Sequence, residues 1–116
     1  MNDRELLKLA AKAAGIKCFG PGAASHLFIE GTTTQLGLWS PLTDDGDALR
    51  LAVKLRIDFS VYKNSVRSLA IDEDRRQVIA SFEGQITDNP YAATRRAIVR
   101  AAAEIGNRMI EEEKAR

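Results

Sequence analysis

The stretch from Asn89 to Ile110 restricts the fold more than any other part of the chain. Asp88-Asn89-Pro90 is a strong helix start, since Asn can cap and a proline at the first helical position has no amide hydrogen to leave unsatisfied. The spacing predicts a helix over 90–110, with Tyr91, Thr94, Ile98, Ala101, Ala102, Ile105 and Met109 on one face at i, i+3, i+4 and i+7 intervals. That face is expected to lie on a sheet. Val99, Ala103, Gly106 and Ile110 form a second stripe, and its small residues permit close helix approach. A helix that is apolar on two sides needs cover on two sides. The second cover is either another part of the chain or a second molecule, so Val99, Ala103, Gly106 and Ile110 are candidate contacts of a homodimer or partner interface. Residues 111–116 are charged and read as a frayed tail.

Two further helices can be placed. Asn2 caps the first, with Glu5 three residues on, and Leu6, Leu9, Ala10, Ala13 and Ala14 recur at helical spacing until Gly15. Asp44, Asp45 and Asp47 supply the cap and acidic first turn of the second, whose core face is Ala48, Leu51, Ala52 and Leu55. Leu49 and Val53 widen that stripe, which predicts a helix covered on more than one side.

Between the helices the pattern changes to strands. Residues 26–30 and 35–39 are short strand-favouring runs that read as a hairpin, while the glycines and proline within 15–25 predict a loop. Ile57, Phe59 and Val61 alternate with polar neighbours, and 66–71 and 77–83 continue the strand character as an antiparallel meander. The expectation is one α+β domain over 1–116, with three helices packed on a mostly antiparallel sheet. An αβα sandwich is one form of it.

Composition narrows the function. A chain of 116 residues has room for one core, and 45% hydrophobic with 28% charged residues is ordinary for a folded domain. With 17 Lys plus Arg against 16 Asp plus Glu, the net charge of +1 sets up no field for phosphates, which disfavours nucleic acid as the partner. Cys18 is the only cysteine, so no internal disulfide forms, and Cys18 with His26 cannot complete a four-ligand zinc site. The opening residues lack the features of a secretory signal and no stretch reaches membrane-spanning length, so a cytoplasmic location is expected.

Residues that invite a chemical reading have simpler ones beside it. Ser25 and His26 are neighbours, and neighbours in a strand point to opposite faces. Asp44-Asp45-Gly46-Asp47 superficially resembles a calcium loop, but Arg56 stands where the bidentate glutamate belongs, which favours helix capping. Gly20-Pro21-Gly22 lacks the following Lys-Ser or Lys-Thr of a phosphate loop. Trp39 is either an exposed partner anchor or a side chain packed over the start of the next helix. Arg95, Arg96 and Arg100 form a modest basic ridge, partly neutralised by Glu104, and are the candidate nucleic-acid contacts of an alternative reading. Asp58, Asp72 and Glu83 have to meet in space for an enzyme to be built from distant carboxylates.

The block Trp39-Ser40-Pro41-Leu42-Thr43-Asp44-Asp45-Gly46-Asp47, running on to Leu55, and the block Asn89-Pro90-Tyr91-Ala92-Ala93-Thr94-Arg95-Arg96, running on to Gly106, resemble the two recurring blocks of a family of small tailed-phage and prophage proteins. The opening residues 3–15 fit as well. That family is similar to the phage ABA-sandwich domain, in which a sheet lies between helical layers. The resemblance implies a phage setting and an architecture, and carries no functional residues. The expectation is therefore a non-enzymatic accessory protein, without cofactor or metal, that binds a host or phage protein in the bacterial cytoplasm. An inhibitor of a host defence factor is one concrete form.

Overall fold

The structure is a computed structural model and describes residues 2–19, 27–29, 38–72, 74 and 76–115. Ser25, His26 and the Gly20-Pro21-Gly22 turn lie outside the described residues.

The helices begin where their capping residues put them. Asn2 accepts the Glu5 amide at 2.9 Å and opens α1 (Asp3–Ala14), which Gly15 ends in the left-handed conformation at φ 69°. Asp44 accepts the Asp47 amide at 2.8 Å and opens α2 (Asp45–Leu55). That helix ends the same way, with Arg56 left-handed at φ 54°. In both cases the next residue, Ile16 or Ile57, returns its amide to a carbonyl in the last turn, which satisfies groups that a bare helix end leaves open. Asn89 accepts the amides of Tyr91 and Ala92 and opens α3 (Pro90–Lys114). The expected fray from 111 onward is corrected: the helix continues to Lys114, and Glu113 is held at 2.9 Å by Lys12.

The strands form two antiparallel sheets rather than one. The smaller consists of β1 (Cys18–Phe19), β2 (Leu27–Ile29) and β3 (Leu38–Trp39) in the order β1-β2-β3. Its β2–β3 pairing is the expected hairpin, with Leu27 opposite Trp39. Its β1 falls in the segment expected to be loop, a strand too short to leave a periodic signal. The larger sheet is the expected meander, β4 (Asp58–Val61), β5 (Ser65–Asp72) and β6 (Gln77–Gln85), with β5 in the middle.

The α+β architecture of helices packed on an antiparallel sheet is thus present, and α3 is its organising element. It lies over the larger sheet and packs against both α1 and α2. Val66, Ser68 and Ala70 of β5 are buried beneath it, and the Ser68 hydroxyl donates to the Ala97 carbonyl at 2.7 Å. The opposite face presents Arg67, Ser81 and Glu83 to solvent, so among the described residues helices cover one side of this sheet rather than sandwiching it. The sheet-facing side of α3 also differs from the expected one. The residue bonded to Ser68 is Ala97, and Tyr91 at the head of the expected face is 67% exposed.

Candidate functional site

The stripe expected to be a candidate interface is inside the molecule. Val99, Ala103 and Gly106 are buried and Ile110 is half-buried. A Cβ placed on Gly106 comes 2.0 Å from the Leu9 carbonyl oxygen, so α1 lies directly on the α3 backbone there. The cover that this second stripe requires is α1, which corrects the reading of Val99, Ala103 and Gly106 as an intermolecular surface. Trp39, 4% exposed, is likewise part of the core and is not available as a partner anchor.

The arginine ridge is divided among internal partners. Arg95 donates to the Leu42 carbonyl at 2.8 Å and to Asp45 at 2.6 Å, Arg96 pairs with Asp3 at 2.7 Å, and Arg100 sits 5.2 Å over the Phe82 ring. Two of the three cations therefore already hold carboxylates, and the three lead toward α2, α1 and the sheet respectively. They do not present one shared surface to a phosphate backbone. The distant carboxylates do not gather either. Asp58 and Glu83 are on the two outer strands with β5 between them, and Asp72 is at the far end of β5. No group of three His, Cys, Asp or Glu able to hold a metal is found among the described residues.

The acidic start of α2 acts as the capping reading requires. Asp44 caps, and Asp47 accepts the Ser40 amide at 2.9 Å and Arg50 at 2.7 Å. The hydrogen bond that Arg50 donates to Asp47, with the nearby charges of Asp47 and Asp44, pushes the Arg50 pKa above its ordinary value. Ser40 and Thr43 share a hydroxyl hydrogen bond that tightens the turn before the cap. Asp45 is engaged by Arg95, so each of these carboxylates has a protein partner.

What the structure does leave open is an apolar groove of about 480 Å³ between α2, β4 and the first turns of α3. Leu49 from α2, Phe59 and Val61 from β4, and Pro90, Tyr91 and Ile98 from α3 are among its lining residues. The strand register explains the two β4 side chains. Phe59 is opposite Ser68 and Val61 opposite Val66, and cross-strand partners point to the same face, so both look toward the helical side. On α2 the second stripe has no cover: Leu49 is 55% and Val53 69% exposed, which overturns the expectation of a helix enclosed on several sides. Four of the seven large apolar side chains exposed among the described residues line this one groove, and Val53 flanks it. Single exposed apolar residues are ordinary, whereas a contiguous group marks an interaction surface.

The polar groups of the groove are occupied. Asp45 and Arg95 hold each other, and the Thr94 hydroxyl donates to the Pro90 carbonyl at 2.8 Å. Arg95 also ties the turn ahead of α2 to α3 and so fixes one wall. The site was partly legible in the sequence, because Leu49 and Val53 were surplus to a single buried stripe. Its β4 wall was not, since alternation alone does not say which side of a strand is covered.

No protein-family model, no curated protein and no solved structure matches this chain. Among the described residues no helix is long and apolar enough to cross a membrane.

Proposed function

We propose that this chain is a non-enzymatic protein-binding module whose binding face is the groove between α2, β4 and α3. The observation that carries the reading is the concentration of Leu49, Phe59, Val61 and Tyr91, all exposed, around one concavity. Covering apolar side chains contributes on the order of 25 cal/mol per Å², so a few such residues supply the core of a modest interface. A small polar ligand fits less well, because such sites orient their ligand with convergent free polar groups and here Asp45, Arg95 and Thr94 are already paired. The nucleic-acid alternative is weakened by the internal pairing of Arg95 and Arg96 and by a net charge of +1.

The setting follows the resemblance of the two helical blocks: a phage or prophage accessory protein acting in the cytoplasm of a bacterial host. Its partner on this reading is a host or phage protein that presents an apolar segment, and a host defence factor is one such target. The test is selection from a random peptide library with the immobilised chain. The expected outcome is enrichment of apolar peptides that is lost for Leu49→Asp and Tyr91→Asp, both of which should leave the circular dichroism spectrum unchanged. Equal enrichment by wild type and variants would sink the assignment of the groove.

A further inference from the structure

The two outer strands of the larger sheet differ in how their free edges are treated. On β6 the Ile79 carbonyl is taken by Arg108 at 3.2 Å, and the pairing with β5 is interrupted by a register shift between Ala70 and Ile71. On β4 neither a capping side chain nor a register shift is present among the described residues. Asp58-Phe59-Ser60-Val61 has no proline and its pairing with β5 is in regular register. Edges are normally protected against pairing by prolines, bulges or covering groups, so an edge without them is a place where another strand can add.

The ladder fixes which residues that strand would meet. The Tyr62 amide donates to the Ser65 carbonyl at 2.8 Å, so Tyr62 is in a hydrogen-bonded pair with β5. In an antiparallel ladder the backbone groups alternate in direction, which turns those of Ser60 and Asp58 toward β5 and those of Phe59 and Val61 outward. The residues with outward backbone groups are therefore the same two whose side chains line the groove.

We infer that the strand received by this edge is β4 of a second copy of the chain, paired antiparallel about Ser60. In that register Phe59 of each copy stands opposite Val61 of the other, and each pair exchanges both of its amide hydrogen bonds. The three-stranded sheets join into one of six strands, and the two grooves meet above the junction as a single apolar trough. Charge favours this occupant over an arbitrary strand. Asp58 opens β4 and Lys63 follows its end, and neither has an ion-pair partner among the described residues. Antiparallel self-pairing puts each Asp58 opposite Tyr62 of the other copy, one residue short of its Lys63, so opposite charges come near each other at both ends of the junction. The inference rests on the reading of this face as a protein-binding one and gives it a first partner.

The test is molar mass by light scattering up to a concentration on the order of 100 µM, where even a weak dimer is populated. Wild type should approach twice the chain mass. Val61→Pro removes one outward amide hydrogen at a position where an edge strand tolerates proline, and should give a monomer with an unchanged circular dichroism spectrum. Asp58→Lys should weaken association roughly three- to tenfold by setting Lys against Lys63, and adding Lys63→Asp should restore it. A wild type that stays monomeric overturns the inference, as does a dimer indifferent to a folded Val61→Pro or a double variant that fails to recover. If Val61→Pro does not fold, the charge exchange decides alone. Peptide capture by a chain that remains monomeric overturns self-pairing and leaves the groove assignment standing, whereas dimerisation through β4 without peptide capture supports self-pairing and removes the peptide-binding role.

Discussion

Ser68 is a polar residue at the centre of an apolar seam, fully buried between β5 and α3. Its hydroxyl reaches the Ala97 carbonyl at 2.7 Å, so the group that burial would penalise has a partner. Ser68→Ala removes the donor and leaves a small void, but a helix carbonyl at Ala97 keeps its place in the helical ladder. The expected loss is about 1 kcal/mol in urea unfolding, and Ser68→Val, which adds volume as well, should cost about 1–3 kcal/mol. Equal stability of all three chains would mean that the seam is looser than its geometry implies. Arg56 presents the opposite case, an ordinary residue in a conformation that favours glycine, held there by the closing hydrogen bonds at the end of α2.

At the scale of elements, α1 and α3 make the closest helix crossing among the described residues. Asp3 pairs with Arg96 at one end and Lys12 with Glu113 at the other, so the two helices run in the same direction, with Leu9 crossing over Gly106 between them. These exposed ion pairs contribute little each. The fit at Gly106 matters more, because any side chain there meets backbone, which cannot rotate away. Gly106→Ala should lower stability by about 2–3 kcal/mol and loosen α1 selectively, seen as faster hydrogen exchange over residues 6–14. A variant as stable as wild type would contradict the close crossing. The elements themselves were largely legible in the sequence, since caps such as Asn2, Asp44 and Asn89 act through bonds to residues two or three positions away. Their mutual cover was not. The stripe at Val99, Ala103 and Gly106 has the same composition whether α1 or a second molecule lies on it, and the extra apolar residues Leu49 and Val53 look the same covered or bare. For the same reason the groove became visible only once α2 was placed relative to β4.

For the whole molecule the arrangement is radial rather than layered. The larger sheet, α1 and α2 each pack on α3, and Val99, Ala101 and Ala102 are without solvent exposure. Exchange of the central α3 amides, 98 to 103, then requires most of the structure to open. Those amides and the β5 amides should exchange most slowly, at rates close to the global unfolding limit, while β4 and the first turn of α3 beside the groove exchange sooner. Uniform protection along α3 would argue against this central position.

The element on which the others converge is also the one that follows them along the chain. During synthesis, α1, the strands and α2 leave the ribosome with their apolar sides bare and have nothing to close upon until the segment from Pro90 emerges. The segment that precedes α3 is consequently exposed until then, and a pause placed shortly before Pro90 should lengthen the period in which chaperones and proteases can reach it.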